Sequence, residues 1–256
     1  MRIVTYNVNG LRSAMTKGFT EWLQSDPADI ICLQEVKAHR ENVDFQQFEK
    51  LGYHDYWYPA QKKGYSGVAI LSRFKPDHVQ YGNGYMQSDA EGRVIRADYG
   101  DITVINAYFP SGTTGEERQT YKYQWLDEFY DYLQLLRKER PNLVVVGDYN
   151  IAHEAIDIHN PSSNKDSSGF LPEERAWMTK LLSNGFIDSF RNFHPAAADQ
   201  YSWWSFRANA RNNNKGWRID YINVTEALRP RLEDAAIWQQ VKQSDHCPVY
   251  LKLKKA

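Results

Sequence analysis

Apolar runs of strand length recur along this chain, with helical patterns between several of them, and that alternation restricts the fold to layered α/β architectures. The runs are Arg2–Val8, Asp29–Gln34, Gly67–Ser72, Val94–Tyr99, Ile102–Phe109, Leu143–Gly147, Arg218–Val224 and Pro248–Leu253. Spacing predicts helices over Lys17–Gln24, Glu116–Lys138 and Pro172–Leu182. In the second, Trp125, Phe129, Tyr132, Leu133 and Leu136 recur at helical intervals; the third opens on Pro172 with Glu173 and Glu174 in its first turn, as helix N-termini do. Asn160–Gly169 and Asn209–Gly216 read as long polar loops. No linker or low-complexity block divides the chain, so residues 1–256 are expected to form a single domain. Arg2–Asn7 and Leu143–Asn150 both end in Tyr-Asn, a faint echo that would suit two stacked half-folds.

A chain of 256 residues buries enough apolar surface to fold without staples. The 2 cysteines, Cys32 and Cys247, lie far apart and outside any CxxC or Cys/His ligand spacing, which points to reduced thiols rather than a zinc site. The N-terminal residues enter a strand-like run with no signal-type apolar segment, and no stretch nears the ~18 apolar residues of a membrane span. A cytoplasmic location with no membrane association is the expectation, and monomer is the default state. Formal net charge is −1, from 31 Lys+Arg against 32 Asp+Glu, so any nucleic-acid surface must be local. Aromatic residues make up 14%, with 8 Trp and 17 Tyr, enough for a core, for stacking platforms or for both.

The chemistry is legible in where polar residues fall. Asn7 and Asn9 follow the first strand, Glu35 follows IICLQ, Tyr108 follows VINA, and Asp148 with Asn150 follows LVVVG; Asp220 lies in WRIDY and Asp245–His246 in SDHCP. In open α/β sheets such strand ends gather at one rim. Singly, each has a bland reading, because Asp and Asn end strands by satisfying turn backbone and a lone His is usually structural. Gathered, buried carboxylates and amides cost free energy unless a cation or a hydrogen-bond network compensates them. Oxygen donors without clustered Cys or paired His favour Mg²⁺ or Mn²⁺, and Mg²⁺ typically shares its shell with a substrate phosphate. Phosphodiester hydrolysis needs an oriented water, neutralised non-bridging oxygens and a stabilised leaving oxygen. His246, oriented by Asp220, suits proton transfer; Asp148 suits a base or water-positioning role; Tyr108 can donate to a phosphate oxygen and Asn150 can orient substrate or water.

The motifs NVNGLRS (7–13), ICLQEVK (31–37), GYSGVAILS (64–72), EGRVIRADY (91–99), NAYFPSG (106–112), VVVGDYNIAHEAIDIHNP (144–161), GFLPEER (169–175), WRIDY (217–221) and SDHCP (244–248) occur in order along the chain. This set resembles the exonuclease III-type apurinic/apyrimidinic endonucleases of the endonuclease/exonuclease/phosphatase superfamily, over essentially the whole chain. The resemblance implies a DNase I-like, four-layered α/β sandwich of two packed mixed β-sheets flanked by helices. It implies Mg²⁺-dependent cleavage 5′ to an abasic site in double-stranded DNA, with 3′-end cleaning of blocked 3′ ends and 3′→5′ exonuclease side activities. By position it makes Tyr108, Asp148, Asn150, Asp220 and His246 catalytic, and it places Asn7, Glu35 and Asp245, with Asp148, Asn150 and His246, in the metal region. Trp203 and Trp217 would wall the pocket for a base-free sugar, while Ser111, Asn164 and Arg207 would contact phosphate or groove. Lys62, Lys63, Arg93, Arg96, Arg211, Lys215 and Arg218 are expected to supply the local basic surface. Two positions depart from the pattern: Tyr149 in GDYN, where Phe, Leu or Trp is common, and Asn9, where some relatives have Asp.

Two rival functions share the fold: a catalytically inactive RNA-binding regulator, and a phosphodiesterase of a non-DNA phosphoester. The first should have lost the acidic and imidazole set, which is intact here. The second shares GD-x-N and SDH but not the WRIDY, GFLPEER and YFPSG context.

Overall fold

In the computed structural model, which describes residues 1–25 and 28–254, the apolar runs build two six-stranded sheets. In chain order the strands are β1 (Arg2–Asn7), β2 (Ile30–Gln34), β3 (His54–Tyr58), β4 (Val68–Ser72), β5 (His78–Tyr81), β6 (Val94–Tyr99), β7 (Ile102–Tyr108), β8 (Asn142–Asp148), β9 (Phe186–Asp188), β10 (Asp220–Thr225), β11 (Leu232–Ile237) and β12 (Val249–Leu253). The helices are α1 (Leu11–Thr16), α2 (Phe19–Ser25), α3 (Gln46–Lys50), α4 (Met86–Ala90), α5 (Glu116–Glu139), α6 (Pro161–Asn164), α7 (Pro172–Ser183) and α8 (Ser189–Phe193). One sheet has the order β11-β12-β1-β2-β4-β3 and the other β5-β6-β7-β8-β10-β9. Each is mixed, with β1–β2 and β7–β8 parallel at its centre and antiparallel neighbours outside.

The sheets pack face to face because alternate side chains of the central strands are apolar on both sides. Ile3, Ile30, Ile70 and Val249 from one sheet meet Ile95, Val104, Val144 and Ile222 from the other. On the outer faces, Leu11, Phe19, Trp22 and Phe48 of α1–α3 cover the first sheet. Trp125, Phe129 and Leu133 of α5, with Trp177 and Leu181 of α7, cover the second. This is the expected four-layered sandwich. Among the described residues, no helix is long and apolar enough to cross a membrane.

The eight expected strands are present within a residue or two of their predicted ends, and the four without a sequence signal are β3, β5, β9 and β11. All of these are sheet edges. An edge strand has one hydrogen-bonded neighbour and a half-exposed face, so sequences such as HDYWY and HVQY carry no continuous apolar run. The Tyr-Asn echo also needs correcting. The two sheets do repeat one pairing scheme, but it matches β1 with β7 and β2 with β8, not β1 with β8.

Two polar devices lie inside the sandwich. Between the sheets, Gln34 Nε2 donates to Asn106 Oδ1 at 2.6 Å and to Thr5 Oγ1 at 2.9 Å. Asn106 Nδ2 donates back to the carbonyls of Leu33 at 3.0 Å and Ala69 at 2.8 Å, so one buried amide pair ties β7 to β2 and β4. Under the β10 end, Arg218 is bound by Asp157 at 2.7 Å and by Asp188 at 2.7 Å, and Arg191 adds a second guanidinium on Asp157. Burial alone would raise the Asp157 carboxyl, but Arg218 and Arg191 draw it down to about 2.

Leucine at Gln34 or at Asn106 strands the buried partner, so each single variant should lose ~1–3 kcal/mol of stability in urea unfolding. The double variant should lose clearly less than the sum; full additivity would show that the cross-sheet bond is not made. Asp157 is an acid whose folded value lies below its unfolded one of roughly 3.9, so its contribution is present above about pH 4 and disappears as pH falls toward about 2. That contribution is on the order of 2–3 kcal/mol. Urea curves across that window should fall less steeply with pH for Asp157→Asn than for the wild type.

Candidate active site

The parallel pairs β1–β2 and β7–β8 both end at the same rim of the sandwich. Asn7 and Tyr108 close β1 and β7, Glu35 follows β2, and Asp148 closes β8. Asp220 opens β10 directly opposite Asp148, and the 244–248 segment that leads into β12 brings Asp245 and His246 to the same place. The chain turns sharply here. Glu35 and Asn150 adopt φ values of 51° and 52°, a left-handed conformation that residues other than glycine hold only when their surroundings enforce it. Gly147, at φ 147°, leaves the space that β7 needs, since a Cβ there would sit 1.8 Å from the Ala107 carbonyl oxygen.

One amide joins the two half-sites. Asn7 Nδ2 donates to Glu35 Oε1 and to Asp148 Oδ2, each at 2.8 Å. The Asn150 backbone N–H donates to Asp148 Oδ1 at 2.8 Å, and its side-chain amide is anchored on the Phe109 carbonyl at 3.0 Å. His246 Nδ1 lies 2.8 Å from Asp220 Oδ2, with Nε2 3.9 Å from Asp148 Oδ2. Asp220 is itself set by Ser202, whose Oγ accepts the backbone N–H groups of Ile219 and Asp220 at 3.0 Å each. On the other side, Asn9 Nδ2 donates to Asp245 Oδ1 at 3.0 Å, and Trp203 Nε1 donates to Asp245 Oδ2 at 3.1 Å.

Burial, then the neighbouring charge of Asp220, pushes the Asp148 carboxyl up to about 7. Burial works against charging His246, but Asp220 and Asp148 outweigh it and raise the imidazole to about 10. Burial and the Glu35 carboxylate push the Tyr108 phenol well up, which keeps it a neutral donor. Burial would also raise Glu35, yet Lys37 and the Asn7 amide hold it below its ordinary value. Ligand atoms of Glu35, Asp148 and His246 all lie within 4.8 Å of one another. Two carboxylates and an imidazole at that spacing suit a divalent cation, and the carboxylate repulsion gives the cation something to relieve.

The rim opens into a cavity of about 770 Å³ walled by Trp203, Trp217, Ser111, Leu171 and the groups above. The two indoles meet edge to face, 6.1 Å apart at 86°. Of the expected site residues, Asn7, Glu35, Tyr108, Asp148, Asn150, Asp220, Asp245 and His246 converge here, and Ser111, Trp203 and Trp217 stand around them. Asn164, on α6, turns its amide to the carbonyls of His159 and Asn160 outside the cavity lining. Arg207 is exposed beyond the lining, next to the exposed Phe206. Tyr149 is accommodated by stacking on Phe109, 4.2 Å apart and 11° from parallel.

The expected basic surface is largely overturned. Arg93 and Arg218 are each 1% exposed and bound to carboxylates, because a guanidinium folded inside must be paired. Arg96 pairs with Asp98 at 2.6 Å, and Arg211 is spent on the carbonyls of Ser244, Gln239 and Val241. Lys62, Lys63 and Lys215 remain exposed. Lys37 was not singled out in the sequence, yet its ammonium lies 2.7 Å from Glu35 Oε2 and 2.5 Å from Asn9 Oδ1. Its place in ICLQEVK, close behind Glu35, was the available signal.

Residues 4–246 match the model of the Endonuclease/Exonuclease/phosphatase family. The chain is 45% identical over 252 residues to an exodeoxyribonuclease of Bacillus subtilis (strain 168), covering 98% of each. Among solved structures it superposes on an AP endonuclease from Archaeoglobus fulgidus with a TM-score of 0.91 and 34% identity, covering 100% of both chains. It also matches the 3′ phosphatase NExo from Neisseria, bound to a product DNA hairpin, with a TM-score of 0.92 and 31% identity over 100% of both chains. The chain belongs to the Endonuclease/Exonuclease/phosphatase family, as a nuclease of the exonuclease III/AP endonuclease type.

The clustered carboxylates give a test independent of catalysis. In EDTA, Asp148→Asn should melt higher than the wild type, by about 0.5–2 kcal/mol of added stability, since a buried charge is removed from beside Glu35 and Asp220. Added Mn²⁺ should then raise the melting temperature of the wild type and not of the variant; equal shifts in both would place the cation elsewhere.

Proposed function

We propose that this nuclease uses Mg²⁺, or Mn²⁺, to hydrolyse the phosphodiester 5′ to an abasic nucleotide in duplex DNA, with 3′-end cleaning and 3′→5′ exonuclease activity at the same site. The observation that carries this reading is the gathering of Glu35, Asp148 and His246 within 4.8 Å at the mouth of a tryptophan-walled cavity. Among the described residues lining that cavity there is no lysine or arginine, only His246 as a cation against Glu35, Glu116, Asp148, Asp166 and Asp245. A bound cation would offset that negative charge as a phosphate enters. Glu35 and Asp148 fit that ion, with Asn7 and Asp245 beside them, and its chemistry is neutralisation of the phosphate and stabilisation of the leaving oxygen.

The chain's own groups supply the rest. Asp148, fixed by Asn7 and Asn150, orients the attacking water, and Asn150 keeps its partner in register. His246, held by Asp220, donates to a non-bridging oxygen, and the Tyr108 hydroxyl donates to another. Trp203 and Trp217, packed edge to face, form one apolar wall of the cavity against which a sugar without a base can seat, and an attached base would collide with the indoles.

Nicking of a duplex with one abasic-site analogue should require Mg²⁺ or Mn²⁺ and vanish in EDTA. Asp148→Asn and His246→Asn should each lower kcat by roughly 10²–10⁴. Trp217→Ala should spare cleavage of small model esters while narrowing the preference for the lesion over intact duplex. A folded wild type that binds nucleic acid and nicks nothing would move the protein to the inactive RNA-binding class.

A further inference from the structure

Lys122 and Glu174 form an ion pair 2.6 Å long in which both side chains are completely buried. Neither hydrogen-bonds a side chain assigned to the reaction, although the Lys122 charge is felt at Asp148. Three of their other bonds go to backbone. Lys122 Nζ, on α5, donates to the Asn150 carbonyl at 2.8 Å. Glu174 Oε2, in the first turn of α7, accepts the backbone N–H groups of Gly169 at 2.6 Å and Leu171 at 3.0 Å. Gln119 Nε2 donates to Glu174 Oε1 at 3.0 Å, and the Gly169 carbonyl accepts the Ala152 N–H at 2.7 Å.

The pair therefore grips two loops at once: the turn that carries Asn150 and the segment whose Ser167, Ser168 and Leu171 wall the cavity. The fit between them is close. A Cβ at Gly169 would lie 3.0 Å from Trp217 Cζ3 and 3.1 Å from the Asn150 carbonyl. Asn150 also holds its left-handed backbone against intrinsic preference, so its amide depends on outside support. Stability alone does not call for charge here, since apolar side chains of similar volume commonly serve a core as well as a buried ion pair.

We propose that Lys122 and Glu174 are a positioning pair for the reaction, fixing the Asn150 turn against the Gly169 loop so that Asn150, whose amide lies 3.0 Å from the Phe109 carbonyl and 3.4 Å from Asp148 Oδ2, keeps Asp148 in register. This rests on the role given to Asn150 above.

The test is steady-state cleavage of the abasic duplex under Mg²⁺ by the wild type, Glu174→Gln and the double variant Lys122→Met/Glu174→Leu, each repeated in an Asn150→Ala background. Wild-type turnover reports on the assigned reaction, and the ratios between variants report on the pair. The double variant should melt within a few degrees of the wild type, lose about 10-fold or more in kcat, and lose less than about 3-fold in the Asn150→Ala background, because the pair acts through that residue. Wild-type kcat in a double variant of wild-type melting temperature overturns the proposal; so does a loss of equal size in both backgrounds. Should the double variant not fold, Glu174→Gln keeps an acceptor for Gly169 and Leu171 while removing the charge. A fall of about 3-fold or more in kcat at nearly constant KM then supports the pairing, and unchanged kcat overturns it. A folded wild type that nicks nothing sinks the assigned reaction, and the pair's role with it.

Discussion

Glu35 comes from one sheet and Asp148 from the other, and the Asn7 amide donates to both at 2.8 Å. Two carboxylates brought this close repel, and burial strengthens the repulsion by removing water. The amide holds them in place without neutralising them, which leaves the charge available to a cation. The site therefore depends on the registry of two sheets whose apolar faces could pack in several offsets. The Gln34–Asn106 bond, one layer deeper, helps to fix a single offset, because slippage would leave buried amides unpaired.

Electrostatics explains why a chain of net charge −1 can serve as a nuclease. Its arginines are largely used internally: Arg218 holds Asp157 and Asp188, Arg211 ties the 244–248 segment to its neighbours, and Arg93 lies 4.8 Å over the Tyr108 ring. Arg93 and Arg118 both bind Glu91 and the Tyr65 hydroxyl, so the Tyr108 strand end is braced from behind. The cavity itself is left acidic. Its clustered carboxylates and imidazole, with no lysine or arginine among the described lining residues, suit a divalent cation.

The aromatic residues divide along similar lines. Phe109, Trp125, Phe129 and Tyr149 fill the space between the second sheet and α5, and Tyr6, Phe19 and Trp22 do the same beneath α2. Trp203 and Trp217 are different, being half-buried and turned into the cavity. The composition gave no means of separating these uses, because an indole in a core and an indole lining a pocket are the same residue in a sequence.

What the sequence determined by itself was the alternation of apolar strands with helices, and the polar groups those strands deliver at their ends. Central strands are buried on both faces and so write continuous apolar runs, and Glu35, Tyr108, Asp148 and His246 stand out against them. Edge strands β3, β5, β9 and β11 wrote no such signal, having one neighbour and a half-exposed face. The tertiary structure decided which charges are free and which are spent. Arg93, Arg96, Arg211 and Arg218 looked like surface cations because a sequence does not declare which basic residues the fold will enclose: Arg218 meets Asp157 across 61 residues of chain, and Arg93, although only two residues from its partner Glu91, is folded inside against the Tyr108 carbonyl and the Tyr65 hydroxyl. Lys37 reaches Asn9 because β1 and β2 pair side by side, and Lys122 meets Glu174 only once α5 and α7 pack together over the second sheet.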